Sequence, residues 1–319
     1  MSINLTAGIP EWFISQFSDT LYHVCQQKTS KFQMAVKQTP IVGAEDKSFD
    51  LMGTLELVEK TGRAIETPHT DPTAGRRWVS TTPYHQSVQY DKDDDLSMLL
   101  DPKSDFSTAF AAAAARKIDD IVVASFFGSV TSGRRAGSTI TWASESGTTK
   151  YAAGGAGRTI AHDTTEGNCQ AADTGLTVEK IQVVQQYFAE HDVDEDVPIW
   201  GAISPVQWTN LTGQLEYTSS DFNTDKPLAT GRIIKNWHGI NFIVSNKIVV
   251  GSSNDVDADT NVYRCPFWIQ DGIILGIAKT LTIDIDKRAD LSNAQQVYAH
   301  LNMGAGRMDE DKVCCVECQ

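Results

Sequence analysis

Hydrophobic positions change their period several times along the chain, and each change marks a different element. From residue 9 to about 29, Ile9, Trp12, Phe13, Phe17, Leu21 and Val24 recur near one stripe of a helix, with Pro10 suited to its first turn. A short apolar run over 32–42 ends in turn chemistry at Gly43. Over 47–91 the period falls to two: Phe49, Leu51, Gly53, Leu55 and Leu57 alternate with polar or intermediate neighbours, as along a strand. A charged, turn-rich centre over 66–77 separates this run from a second extended one, Trp78–Tyr90. Two arms of about 15 residues at ~3.4 Å each predict a hairpin on the order of 50 Å long. So few core-forming residues do not support such an arm in water, so it needs another surface to lie on.

The strongest helix follows. Phe106, Phe110, Ala113, Ala114, Ile118, Ile121, Val122 and Phe126 recur at spacings of three and four, and the alanines at 111–115 raise helix propensity. Pro102 and Ser104 supply a start, with Ser104 as N-cap and Asp105 at the positive end of the dipole, and Gly128 supplies the stop. A helix over about 104–127 spans roughly 36 Å, and its alanine face permits close packing. Residues 129–174, rich in Gly, Ser, Thr and Ala, read as short strands and loops inserted at a surface. An α/β pattern begins after Gly175: helix 178–191, strand 198–203, a helix over 205–215 capped by Ser204, and paired strands around the tight turn His238-Gly239. A long β-branched run over 268–285 is broken by Asp271-Gly272, and strands over 295–303 and 313–316 close the chain. No internal repeat is visible.

Composition narrows the function. The chain has 319 residues, 41% apolar and 21% charged, which suits one large domain or two joined ones. Acidic residues number 41 against 27 basic, a net charge of −14, which argues against a surface built to grip nucleic acid. It does not exclude a wall that encloses nucleic acid without holding it. No run approaches the ~20 consecutive apolar residues of a membrane span, and Met1–Leu5 lacks the basic and apolar blocks of a secretory signal. The expectation is a protein made in the cytoplasm. Six scattered cysteines are too sparse for a disulfide scaffold.

Candidate chemistry is thin. Cys314, Cys315 and Cys318 offer three thiolates, two at zinc-knuckle spacing, but no second Cys or His pair matches them and His300 is the nearest further ligand. A terminal strand with small buried side chains is the favoured reading. Asp255, Asp257, Asp259 and Asn261 alternate like the first ligands of a calcium loop, yet Thr260 and Pro266 stand where Gly and Glu are required. Gly154-Gly155-Ala156-Gly157-Arg158 lacks the Gly-Lys-Ser/Thr ending of a phosphate loop, and Asp93-Asp94-Asp95 reads as a solvated turn. Asp284 and Asp286 share one face of a strand and read as surface charges rather than an acid/base pair. His23, His69, His85, His162, His191, His238 and His300 stand isolated, and no Gly-x-Ser-x-Gly is present. The expectation is no catalytic residue, no cofactor and no metal.

The order of parts is more informative: amphipathic N-terminal segment, long hairpin, long alanine-rich helix, α/β region, long final strands. Within it stand Arg76-Arg77-Trp78-Val79-Ser80, Tyr84, Asp91-Lys92-Asp93-Asp94, Leu99, Asp101-Pro102 and Ala115-Arg116-Lys117-Ile118-Asp119-Asp120 through Gly128. Then come Ile203-Ser204-Pro205-Val206-Gln207-Trp208-Thr209-Asn210-Leu211, Gly231-Arg232-Ile233 to Gly239 ending at Ser245-Asn246, and Gly304-Ala305-Gly306-Arg307. Over nearly its whole length the chain resembles the major capsid proteins of tailed bacteriophages with the Hong Kong 97 fold. The resemblance implies an α+β fold with an N-terminal arm (1–46), an extended hairpin or E-loop (47–91), and a peripheral domain carrying the spine helix and an inserted loop region (92–174). It further implies an axial domain (175–265), strands returning to the peripheral domain (266–303), and a terminal axial strand (304–319).

By that resemblance the chain assembles with itself into hexamers and pentamers of an icosahedral head, with portal and scaffold proteins and room for a decoration protein. The head encloses double-stranded DNA without specific binding, and the protein resides in the virion after synthesis in the host bacterial cytoplasm, with no membrane. The rivals are an encapsulin-like compartment shell of the same fold and a metal-dependent hydrolase. The mixed charges of the hairpin suit complementary pairing, so Glu66, Asp71, Arg76, Arg77 and Trp78 are the predicted subunit interface.

Overall fold

A computed structural model describes residues 26–63, 65–90, 103–134, 137–142, 158–162, 164, 169, 174–194, 196–214, 236–248, 262–291 and 294–319. The longest helix, α1 (Lys103–Phe127), starts one residue earlier than expected, so Ser104 lies in the first turn instead of at the cap. No Gly or Pro interrupts its 25 residues, which suits an uninterrupted helix. Its apolar stripe lies across a four-stranded sheet, where Phe106 and Phe110 meet Val297 and Ala299. That sheet has the order β1-β12-β13-β4, from β1 (Lys37–Pro40), β4 (Thr82–Tyr90), β12 (Ile273–Arg288) and β13 (Ala294–Arg307). The antiparallel β12–β13 pair runs from Ile273↔Arg307 to Arg288↔Ala294 and is the backbone of the sheet. At ~3.4 Å per residue the 16 residues of β12 extend roughly 54 Å.

A six-stranded sheet has the order β7-β14-β11-β8-β10-β9. Its strands are β7 (Thr159–Ile160), β8 (Ile199–Ile203), β9 (Asn236–Trp237), β10 (Ile240–Val244), β11 (Tyr263–Ile269) and β14 (Val313–Cys318). Helices α2 (Val178–Glu190) and α3 (Pro205–Thr212) accompany it, capped as their sequences require: Thr177 accepts from the Lys180 amide and Ser204 from the Gln207 amide. The β9–β10 turn places His238 at φ +53° and Gly239 at φ +73°, the left-handed pair that a two-residue hairpin needs. The two sheets share one core. Trp268 of β11 packs on Phe126 of α1 with ring centroids 4.5 Å apart and on Phe32 at 6.1 Å, and its indole donates to the Ala35 carbonyl at 2.8 Å.

The long-hairpin expectation needs correction. The ladder joins β2 (Asp46–Met52) to β3 (Ala74–Ser80), seven residues each and roughly 24 Å long. No helix or strand forms over 53–63 or 65–73. The second extended run divides at Thr81, because β4 leaves the hairpin to pair with β13 and cover α1, with Val88 against Phe110. The crossing is tight: a Cβ at Gly304 of β13 would stand 1.9 Å from the Ser80 carbonyl oxygen. A third sheet, β2-β3-β5-β6, fixes the hairpin base to β5 (Val130–Ser132) and β6 (Ser138–Ile140).

Of the helix expected over 9–29, residues 9–25 lie outside the described residues, and Gln26–Thr29 is irregular. What holds that stretch is Asp119, fully buried on α1. Its carboxylate accepts from the amides of Lys31 (3.1 Å) and Phe32 (3.3 Å), the Ser30 hydroxyl and the Gln27 side-chain amide. Arg116 donates to the Gln26 side chain at 2.6 Å.

Candidate assembly surfaces

The rival sites do not assemble among the described residues. Along β14 alternate side chains face opposite sides, so Cys315 and Cys318 point apart and cannot chelate one ion as a knuckle would. Cys314, Cys315 and Cys318 are fully buried, and burial pushes the Cys314 and Cys315 thiols up, away from the thiolate that reacts or ligates. His300 lies in the other sheet, opposite His85. Among the described residues no three His, Cys, Asp or Glu side chains stand in metal-ligating geometry, and no helix is long and apolar enough to cross a membrane. Asp284 and Asp286 project from β12 to solvent. Asp93–Asp95, Gly154–Gly157 and the 255–261 loop lie outside the described residues, while Arg158 pairs with Asp311 at 2.6 Å.

What remains is a hairpin with a rigid base and an uncovered end. The five predicted interface residues fall into two groups. Glu66 and Asp71 lie exposed in the irregular end segment, where Asp71 meets His69 at 3.1 Å. Arg76, Arg77 and Trp78 lie in β3, where each makes a contact within the chain. Arg76 pairs with Asp50 across the ladder, Nε to Oδ1 at 2.5 Å and Nη2 to Oδ2 at 3.1 Å. That hydrogen bond holds the Asp50 carboxyl below its ordinary range. Trp78 donates its indole N–H to the Gly133 carbonyl at 2.8 Å, beside the β3–β5 ladder.

Arg77 reaches furthest. Its Nη2 lies 2.6 Å from Glu310 Oε2, in the turn between β13 and β14. Glu310 Oε1 also lies 3.5 Å from Arg307 Nε. Arg307 is fully buried, stacks 5.0 Å over the Trp142 ring and donates to the carbonyls of Phe126 (2.7 Å) and Gly128 (3.2 Å) at the end of α1. These are the orphan acceptors of a helix C-terminus, where a cation is favoured. One carboxylate thus ties the hairpin base, the end of α1 and the entry to the six-stranded sheet. Sequence reasoning missed Glu310, since its partners Arg77 and Arg307 come from distant segments; the only hint was Arg307 closing the Gly-rich run. It also missed Lys180, whose ammonium donates to the carbonyls of His162, Thr174 and Glu317 within 3.1 Å, and whose pKa burial lowers.

Beyond the ladder every described residue from 54 to 75 is exposed. Among them stand Leu55, Leu57, Val58 and Ile65, with Leu57 at 103% of its reference exposure, and Met52 precedes them at 73%. At ~25 cal/mol per Å², such residues are worth ~1.5–3 kcal/mol each when covered. Clustered exposed apolar residues on a braced arm mark an association surface.

The profile of the phage capsid protein family matches residues 9–319. The chain belongs to that family. Among solved structures, this capsid protein is similar to the capsid of cyanophage P-SCSP1u, at 12% identity and a TM-score of 0.71 over 100% of this chain and 97% of that one. It is also similar to the capsid of cyanophage Pam1 (14%, TM-score 0.71, 99% of both chains) and of Ralstonia phage GP4 (14%, TM-score 0.66, 100% and 98%). Among curated proteins none matches. The Hong Kong 97 fold expected from the order of parts is the fold of this capsid protein.

Proposed function

We propose that this family member is the major capsid protein of a tailed bacteriophage, a structural protein that closes an icosahedral head from pentamers and hexamers around double-stranded DNA. The observation that carries this reading is the hairpin: braced by Arg77, Trp78 and the β3–β5 ladder at its base, with uncovered apolar residues at its end. Residues 1–46 serve as N-terminal arm, and the E-loop expected over 47–91 ends at Ser80, where the chain leaves the hairpin for β13. The peripheral domain is built on α1 and the β12–β13 pair, and the axial domain on the six-stranded sheet. Glu66 and Asp71 face a neighbouring subunit, while Arg76, Arg77 and Trp78 hold the arm that presents them. A net charge of −14 suits a wall that repels packaged DNA and recruits portal and scaffold proteins through its own surfaces.

Electron microscopy of the purified protein, alone or with a scaffold, tests the reading. Closed shells, or pentamers and hexamers that convert to shells, are expected. A compact monomer that persists under all assembly conditions overturns it.

A further inference from the structure

The hairpin base carries an open cleft of about 700 Å³ between the β2–β3 ladder and the β5–β6 turn. Three guanidiniums line it, from Arg76, Arg77 and Arg134, against a single carboxylate among its lining residues, Asp50. Arg134 is exposed, and the residue before it pins the turn to β3. The Gly133 amide donates to the Arg76 carbonyl at 3.0 Å, and the Gly133 carbonyl accepts from the Trp78 indole at 2.8 Å. A φ of +82° at Gly133 lets the chain turn there. Leu51, Met52, Pro72 and Ala74 supply an apolar wall.

The chain as a whole carries −14, so this cluster runs against its composition. Within the cluster the charges do not balance. Asp50 serves Arg76, and Glu310 serves both Arg77 and Arg307. With Arg134 added, four guanidiniums stand against two carboxylates. Arg77 Nε is also buried with no hydrogen-bond partner among the described residues. An excess of two positive charges beside a buried orphan donor is costly unless an anion completes it.

We infer that the cleft binds a phosphate monoester, its phosphate held by Arg77 and Arg134 and its organic part lying against Leu51 and Pro72. Guanidiniums present forked N–H donors that match phosphate oxygens. A monoester carries about −1.5 to −2 at neutral pH, which matches the excess, whereas each diester of a nucleic-acid backbone carries a single charge. The volume lies within the ~300–1,000 Å³ of small-molecule sites and exceeds what a bare phosphate fills. The site belongs to one chain, so the inference stands apart from the shell-forming reading.

Isothermal titration calorimetry of the whole, unassembled chain tests it. The probes are adenosine monophosphate, its methyl diester, inorganic phosphate and a short DNA duplex without terminal phosphates, all at one ionic strength. One nucleotide bound per chain and displaced by inorganic phosphate is expected. The methyl diester should bind about tenfold more weakly, roughly the loss of one charge-assisted hydrogen bond. Arg134→Gln should weaken nucleotide binding about ten- to a hundredfold, with Tm in phosphate-free buffer unchanged. Asp50→Asn releases Arg76 and removes the competing charge, so it should tighten binding about two- to fivefold.

No nucleotide binding tighter than about 1 mM overturns the inference. So does a methyl diester that binds equally well, or an Arg134→Gln chain that binds as wild type. A DNA duplex that binds more tightly than the nucleotide gives the cleft to packaged DNA and overturns it too. If the Arg134→Gln chain does not fold, Asp50→Asn decides, and binding that is unchanged or weaker sinks the site.

Discussion

Replacing Glu310 by Gln keeps the shape of the side chain and removes its charge. Glu310 and Arg307 are 6% and 0% exposed at their side chains and Arg77 is 12% exposed, so none of the three is rescued by water when its partner goes. In the native chain one carboxylate serves two guanidiniums, and several of their atoms (Arg77 Nε, Arg307 Nε and Nη2) already make no hydrogen bond. Removing the charge therefore strands two buried cations at once. Breaking one buried pair costs about 3–5 kcal/mol, because the surviving ion has lost its compensation. Arg77→Met is gentler: it leaves Glu310 with Arg307 and replaces the lost guanidinium stem with apolar contact.

The order Glu310→Gln worse than Arg77→Met is the prediction, and it follows only if the carboxylate is shared. With an unfolding entropy of roughly 2.1 cal/mol/K per residue, 319 residues give about 0.7 kcal/mol/K, so 3–5 kcal/mol lowers Tm by about 4–7 °C. Differential scanning calorimetry of the unassembled subunit reads the shift. Amide exchange should rise over 74–80 and at the end of α1 together, since both ends of the network loosen. A Glu310→Gln protein that melts within about 1 °C of wild type, or exchange that rises in the hairpin alone, would falsify the shared-carboxylate argument.

Three further outcomes follow from single side chains and one close backbone approach. Asp119→Ala leaves the Lys31 and Phe32 amides without their acceptor and should cost about 2–4 kcal/mol, with faster exchange over 26–32; wild-type exchange there would refute the anchoring. Gly304→Ala sets a methyl against the Ser80 carbonyl and should give insoluble protein or a large fall in Tm, unlike Gly62→Ala, whose nearest neighbour is the flexible end of Ile65. Asp50 titrates below its ordinary range because Arg76 hydrogen-bonds it, so its contribution is present above the ordinary carboxylate pKa and lost as pH falls through the depressed one. Carboxyl NMR of Arg76→Ala should show the Asp50 titration move up, and no movement would remove the pair from the account.

How much of this was legible depends on whether the physics is local. Periodicity placed α1 to within one residue, because eight apolar positions and an alanine run act within the helix itself. The cap at Ser204 and the His238-Gly239 turn are likewise set by a few neighbouring residues. The hairpin was misjudged for a non-local reason. Alternation persists through Leu57, but strand pairing stops at Met52, and the other arm is claimed by β13, some 200 residues away. A period of two reports that a segment suits an extended state; it does not report which partner takes it.

The same distinction explains the predicted interface. Arg76, Arg77 and Trp78 have the composition of a contact surface, with two cations and an aromatic, yet within the chain Arg76 pairs across the ladder with Asp50, and Arg77 and Trp78 tie the arm to its own body. Residues that present an arm and residues that dock it obey different rules. The first must be satisfied in the lone chain, since an arm that swings freely loses ordering entropy each time it docks. The second must be unsatisfied in the lone chain, or docking gains nothing. By that criterion the exposed Leu55 and Leu57 would dock, while the half-buried Arg76, Arg77 and Trp78 would support them.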